Sequence, residues 1–118
     1  MDLVEEIYSV TKNFPKDELY GLSSQIKRCA ISVPSNIAEG SSKKSTKEFI
    51  RFLNISYGSL SEIETQILIA QRLKFLSDEC AKGILENIHE IGRMMNGLRN
   101  SLKNKLNSEH RTLETENA

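Results

Sequence analysis

The stretch SVPSNIAEG, residues 32–40, places Pro34 inside a segment whose apolar residues otherwise follow helical spacing. A proline within a helix removes one backbone donor, and its ring clashes with the carbonyl four residues back, here that of Ala30, at a cost of about 3 kcal/mol. Val33 and Ile37 nevertheless stay on the apolar stripe of the residues before them. We therefore predict a continuous helix that is kinked at Pro34.

The alternative interpretation is a break, with Ser35 or Asn36 capping a separate short helix. In either case the polar residues around the proline are predicted to satisfy the carbonyl that it frees and to hold the end of the helix. The residues assigned to this structural motif are Pro34, Asn36, Glu39 and Gly40. Gly40 and the polar SSKKS segment after it are predicted to end the helix, and the bend at Pro34 is predicted to let it wrap its neighbours.

Apolar residues recur at helical spacing on both sides of this stretch and indicate four helices. The first is very short, because Pro15 disfavours helical geometry in the residue before it. The second is predicted to begin near Asp17 and to carry Leu19 on its apolar stripe. Ser45 opens the third through an S-x-x-E capping box, and Ser77 is the predicted N-cap of the fourth.

The fold class that follows is all-α, an antiparallel up-and-down four-helix bundle with a shortened first helix and a Pro-kinked second helix. The bundle is predicted over residues 1–106. Residues 107–118 are polar and aperiodic, so we expect a frayed, disordered C-terminal tail. The short first helix is predicted to leave apolar surface, including Tyr8, Phe14 and Tyr57, open to a partner chain.

Composition limits the class of protein. A chain of 118 residues fits one domain, and 16 basic against 16 acidic residues leave no net charge to favour nucleic acid or membrane overall. The longest uninterrupted apolar run, ILIA, is too short to span a membrane, and the acidic N-terminus does not resemble an export signal, so we expect a cytoplasmic protein.

Cys29 and Cys80 lack CxxC spacing and are interpreted as buried thiols rather than as a disulfide or a metal site.

The dense part of the chain, residues 14–70, contains the elements FPKDELYGLSSQ, KRCAISVPSNIAEG and KEFIRFLNISYGSLSEIETQ, and IGRMMNGLRNSLK follows later. These elements, the last more loosely, resemble the 23S ribosomal RNA intervening-sequence proteins, a family of four-helix bundles. The resemblance covers about residues 3–105. Two features differ from the family pattern: a V-W-x-x-A segment in a longer first helix is missing here, and Cys29 stands where alanine is usual.

The resemblance implies a fold and an assembly more than an activity. Proteins of this kind are encoded in bacteria, some within extra segments of large-subunit ribosomal RNA genes. The bundle also resembles the accessory variability protein of diversity-generating retroelements, which forms a ring of five and engages reverse transcriptase and RNA through basic surface; this second likeness is one of fold. We expect a homo-oligomer, of five chains, with RNA or a nucleic-acid-handling protein as the candidate partner.

A local excess of basic residues lies between residues 25 and 51, with six basic and two acidic side chains. These cations are the candidate nucleic-acid-binding residues, since clustered cations contact phosphates. They are Lys27, Arg28, Lys43, Lys44, Lys47 and Arg51. The alternative is that they are ordinary solvated surface charges. No aromatic residues of the RNA-recognition type interleave the cluster, so base readout by stacking is not predicted.

Nothing in the sequence indicates catalysis, a cofactor or a metal site. HExxH, Glu-x-x-His, Gly-rich phosphate loops and nucleophile elbows are missing, and neither His89 nor His110 has a predicted partner. We therefore predict a non-catalytic binding protein that acts with RNA or an RNA-handling partner. A purely protein–protein scaffold is the alternative.

Overall fold

The computed structural model describes the backbone of residues 2–117 and the side chains of residues 2–111. Its helices are α1 (Asp2–Thr11), α2 (Leu22–Ser41), α3 (Thr46–Arg72) and α4 (Asp78–Asn117), with a 3₁₀ turn at Lys16–Glu18. Helices adjacent in sequence pack side by side, and α1 closes the bundle against α4. The predicted all-α four-helix bundle is confirmed, as a rod 64 Å long and 24 × 19 Å across.

The core lies where the apolar stripes of the four helices meet. Ile7 of α1, Ile26 of α2, Ile63 of α3 and Ile84 of α4 are all at most 1% exposed. Burying an aliphatic side chain of this size contributes about 1.5–3 kcal/mol. The stripes therefore supply the driving force that closes the bundle.

Helix α2 begins later than the spacing predicts. Leu19 follows the 3₁₀ turn and is 52% exposed, so it does not belong to the apolar stripe. Gly21 is non-helical, and the Glu18 carboxylate accepts a hydrogen bond from the Leu22 N–H at 3.1 Å. This side-chain acceptor satisfies one of the unpaired donors at the start of α2 and sets where the helix begins.

Helix α2 continues through Pro34, which confirms the predicted continuous helix, and the alternative of a break is wrong. The Asn36 amide donates two hydrogen bonds, both of 2.9 Å, to the carbonyl and hydroxyl oxygens of Ser32. These bonds therefore do not satisfy the Ala30 carbonyl, contrary to the role predicted for Asn36. The Pro34 ring lies on the side of α2 that faces α1, where it lines a cavity of about 320 Å³ with Leu3 and Met94 among others.

Hydroxyl groups join α2 to α3 along their shared seam. The buried Ser56 hydroxyl donates to the Val33 carbonyl at 2.7 Å, and the Ser32 and Ser59 hydroxyls are 2.8 Å apart. Val33 follows Ser32 on α2, whereas its partner Ser56 precedes Ser59 on α3. The two helices are therefore antiparallel. Small side chains at these positions let the helices pack closely while their polar atoms stay paired.

Gly40 marks a close approach between the two helices. A Cβ atom at this position would lie 2.7 Å from the Phe52 Cβ and 3.1 Å from the Phe49 Cδ1. The residue is buried and helical, and α2 ends one residue later at Ser41. Its role is therefore close packing against α3, rather than the helix stop that the sequence predicts.

Cys29 lies at the same seam, nearer the start of α2. Its thiol donates to Glu62 Oε2 at 3.2 Å, and the Gln66 amide donates to the Cys29 sulfur at 3.7 Å. Burial, followed by the hydrogen bond to Glu62, raises the pKa of the Cys29 thiol. Cys80 is half-buried at the start of α4, and both cysteines are free thiols.

Both predicted N-caps are present. The Ser45 hydroxyl accepts the Glu48 N–H at 3.2 Å, and the Ser77 hydroxyl accepts the Cys80 N–H at 3.1 Å. Helix α3 ends in a Schellman arrangement, with Lys74 in the left-handed region at φ 62° and the Phe75 N–H bonded to the Ala70 carbonyl at 2.9 Å.

Two of the three aromatic residues predicted to be exposed are covered. Phe14 is 6% exposed, because its ring packs 5.5 Å from that of Phe75. Tyr57 is half-buried beneath the Arg99 guanidinium, whose centre lies 5.5 Å from the ring. Only Tyr8 is open to solvent, at 39%.

Helix α4 differs from the sequence expectation at its C-terminal end. The helical backbone runs through residues 107–117, the segment predicted to be a frayed tail, and neither glycine nor proline interrupts it there. Side chains from 107 to 111 are exposed. The predicted boundary of the bundle at residue 106 stays a prediction, and Ala118 lies outside the described residues.

Gly40→Ala is expected to destabilise the protein by about 1–3 kcal/mol, because the added methyl group would collide with Phe52. Gly58→Ala is the matched control: it is a helical glycine of α3 with no atom within 4 Å of the added Cβ, and should stabilise by about 0.5–1 kcal/mol. Urea unfolding of both variants measures the difference. Equal stability of Gly40→Ala and the parent would contradict the close approach.

Alkylation should discriminate between the two thiols. The raised pKa of Cys29 lowers its thiolate fraction at a given pH, and burial restricts access, so at about pH 8 it should react about tenfold more slowly than Cys80. Cys29→Ser and Cys80→Ser, each with a single thiol, allow the rates to be followed by mass spectrometry. The two rates should converge in denaturant, and equal rates in the folded variants would refute the burial of Cys29.

Candidate functional site

Four of the six candidate cations lie together at one end of the bundle. Lys43 and Lys44 are in the turn between α2 and α3, and Lys47 and Arg51 lie on the first two turns of α3. All four side chains are exposed. The structure thus brings the candidates from residues 43–51 to one surface, the basic end.

Lys27 and Arg28 lie elsewhere. Both lie in α2, about 16 residues before Lys43, which follows the end of this helix. A helix rises 1.5 Å per residue, so the separation along α2 is roughly 24 Å. The Lys27 ammonium lies 5.4 Å from the centre of the Tyr8 ring on α1. These two residues therefore do not extend the basic end.

Two cations of the basic end are already engaged. Lys43 pairs with Glu39 at 3.2 Å, and Arg51 pairs with Glu48 at 3.1 Å. Both also lie over the Phe52 ring, at 5.6 Å for the Lys43 ammonium and 4.4 Å for the Arg51 guanidinium. These contacts are solvent-exposed and each contributes little to stability, but they hold the two cations in place.

Lys44 and Lys47 form no ion pair with the described side chains, and α4 adds another such cation, Lys105. These three lysines border an open pocket of about 580 Å³ between the α2–α3 turn and α4. Phe49, Leu102 and Leu106 supply its apolar wall, and Glu109 is also at the pocket. The sequence analysis missed Lys105; the signal available was the composition of residues 93–111, with five basic residues and one acidic residue.

Arg99 lies further along α4 and is fixed by its neighbours. Its guanidinium donates to Asn54 at 3.2 Å and to Asn96 at 2.7 Å, and covers the Tyr57 ring. The Arg99 Nε is buried without a hydrogen-bond partner among the described residues. This side chain consequently joins α3 to α4 and is not a free cation of the basic end.

The structural motif lies mainly along α2, apart from this surface. Asn36 bonds to Ser32, Pro34 faces α1, and Gly40 packs against α3. Only Glu39 reaches the basic end, through its ion pair with Lys43. The motif thus shapes the helix that carries the turn and supplies one acidic neighbour to it.

His89 does have a partner, contrary to the sequence prediction: its Nε2 lies 2.6 Å from Glu64 Oε2. Ser61 lines the same recess, but its hydroxyl donates to the Tyr57 carbonyl at 3.2 Å rather than to His89. The geometry of the pair therefore lacks the nucleophile contact of a catalytic triad. Among the described residues, no group of three His, Cys, Asp or Glu side chains could hold a metal ion.

Within the part of the chain that is described, none of the helices combines the length and the apolar character needed to cross a bilayer.

Comparison with a solved structure supports the fold. The chain is similar to a crystal structure from Bacteroides thetaiotaomicron VPI-5482, described as a protein with unknown function from the S23 ribosomal protein family. The two share 24% sequence identity and a TM-score of 0.72, over 81% of this chain and 87% of the other. At this identity the likeness shows the arrangement of helices alone. No curated protein is similar enough in sequence to count as a relative.

The family itself follows from the sequence match. The family described as 23S rRNA-intervening sequence protein matches residues 1–97, which include α1, α2, α3 and the first half of α4. The matched part contains the hydroxyl seam, Gly40 and the lysines of the α2–α3 turn, and ends before Lys105. The chain belongs to the 23S rRNA-intervening sequence protein family.

Proposed function

We propose that this protein is a non-catalytic RNA-binding protein of the cytoplasm that contacts RNA phosphates through its basic end. The observation that carries the proposal is the convergence of Lys44 and Lys47 from the α2–α3 region with Lys105 from α4 around one pocket. Three exposed ammonium groups without carboxylate partners among the described side chains suit phosphate oxygens. A polyanion would gain contacts there by displacing only water and counterions.

The distribution of charge along the rod supports the same proposal. Residues 78–92, the first part of α4, contain one basic and four acidic residues, whereas residues 93–117, the rest of the helix, contain five basic and three acidic. The basic part of α4 and the basic turn lie at the same end. A chain with no net charge therefore offers a phosphate backbone one attractive end. The family's name, which refers to 23S rRNA, is consistent with an RNA partner.

A protein–protein scaffold is the second candidate, and the exposed apolar side chains favour it. Tyr20 is 92% exposed and Met94 62%, and several aliphatic residues of α3 are also open to solvent. Surface of this kind suits contact between chains. We propose that it serves self-association into a homo-oligomer, with five subunits as the expected number, so that each subunit contributes its own basic end.

Reversing the three unpaired lysines tests the RNA proposal. Lys44→Glu, Lys47→Glu and Lys105→Glu together should weaken binding of structured RNA at low salt at least about tenfold, because three phosphate contacts become repulsive. The slope of log affinity against log salt concentration is negative, and its magnitude should decrease by about 2 because three phosphate contacts are lost. Fluorescence anisotropy at several salt concentrations measures both quantities.

The matched control reverses three lysines away from this end, Lys12, Lys16 and Lys82, which are equally exposed. It changes the net charge by the same amount and should weaken binding far less. Circular dichroism should show unchanged helix content in both variants. Equal losses in the two triple variants would show that net charge alone governs binding, and unaltered affinity in the first would refute the assignment.

The assembly is tested by multi-angle light scattering at micromolar concentration. We expect a discrete oligomer whose mass is several times 13.4 kDa. Tyr20→Glu with Leu73→Glu, both exposed in the single chain, should reduce the mass if these side chains are at the contact. A strict monomer would contradict self-association.

A further inference from the structure

The pocket at the basic end is more than a charged surface. Its rim is formed by the lysines of the α2–α3 turn and α4, whereas its wall is formed by Phe49, Leu102 and Leu106. At about 580 Å³ it falls within the usual size range of small-ligand pockets. Cations and hydroxyl groups beside these three apolar side chains match a ligand that has both a charged and a flat apolar part.

Phe49 lies between Lys47 and Arg51 in the sequence and lines this recess, contrary to the expectation that no aromatic side chain interleaves the basic residues. The neighbouring Phe52 ring is covered by the Lys43 and Arg51 cations, whereas the described side chains place no cation over Phe49. Gly40 lets Phe49 pack onto the backbone of α2, with 3.1 Å between the ring and the position of a Gly40 Cβ. The ring is thereby anchored on one side and lines the pocket on the other.

We propose that this pocket binds an unpaired nucleotide of single-stranded RNA, with its base against Phe49 and the adjoining phosphates at the lysine rim. The inference rests on the proposed function and specifies its substrate. Bases in a duplex are stacked and cannot enter a recess, so a duplex would use only the lysines. An unpaired base can be splayed out and packed on an aromatic side chain, in an interaction that tolerates any base.

The charge at the rim supports this geometry. The lysines at the pocket come from the α2–α3 turn (Lys43 and Lys44), from α3 (Lys47) and from α4 (Lys105), and Glu109 is the acidic residue among the lining side chains. Phosphates on both sides of an inserted nucleotide would thus meet ammonium groups on both sides of the recess. The wall provided by α4 lies beyond residue 97, where the family match ends, so the complete pocket depends on the C-terminal half of α4 in this chain.

Phe49→Leu tests the base contact, because it keeps an apolar side chain but removes the aromatic face. The probes are a fluorescein-labelled oligouridine of about 12 nucleotides and an RNA duplex of the same length. The parent should bind the single strand more tightly than the duplex. Phe49→Leu should lose about tenfold for the single strand and change less than about twofold for the duplex.

The matched control is Phe75→Leu, an equally half-buried phenylalanine beside Phe14 at the opposite end of the bundle. It should leave both affinities unchanged. Leu106→Gln is a second variant at the pocket, outside the buried core, and should also weaken single-strand binding selectively. Thermal melting by circular dichroism confirms that each variant is folded.

The outcomes separate the two proposals. Selective loss of single-strand binding in Phe49→Leu and Leu106→Gln supports the nucleotide pocket. Equal binding of single strand and duplex, with no effect of either pocket variant but a loss on reversal of the lysines, overturns the pocket and leaves the proposed function standing. Failure of the parent to bind either RNA overturns both.

Discussion

The close approach of α2 and α3 is the constraint on which the rest of the structure depends. Any side chain at Gly40 would collide with Phe52, so glycine is needed at this position. The Ser56 hydroxyl donates a hydrogen bond directly to the backbone of α2. Both contacts require the two helix backbones to lie near one another. The helices can then be joined by the short Ser42–Ser45 segment, which presents its lysines at the tip of the bundle. Helix α4 packs on α3 and brings its own cations to the same end.

The sequence predicted those features of the fold that depend on local periodicity and capping. Four apolar stripes gave four helices, and Ser45 and Ser77 identified the starts of α3 and α4, because a side-chain cap acts within one turn. The start of α2 could not be found this way. Leu19 fits the helical spacing, but the Glu18 carboxylate caps the backbone N–H of Leu22, four residues further on, and leaves Leu19 in the preceding turn.

The candidate site was predicted only where its residues are close in the chain. Lys43, Lys44, Lys47 and Arg51 lie together because they flank one turn, whereas Lys27 belongs to another part of the rod. Lys105 joins the turn through the antiparallel packing of α4, a tertiary relation that no local pattern reports.

Phe49 falls on an apolar stripe, where core packing is the usual role of an aromatic residue. The pocket beside Phe49 could not be predicted from this stripe, because its other side is formed by α4.

The change of charge along α4 gives the molecule an electric dipole moment. Acidic residues predominate up to residue 92 and basic ones from 93 to 111, and the two groups are spread along a rod 64 Å long. In the field of a polyanion this rod experiences a torque that turns its basic end forward before any contact is made. Because screening limits such fields to about 10 Å at 0.1 M salt, the alignment takes place in the last stage of approach. A protein with no net charge can therefore approach nucleic acid in a preferred orientation although it is not attracted to nucleic acid overall.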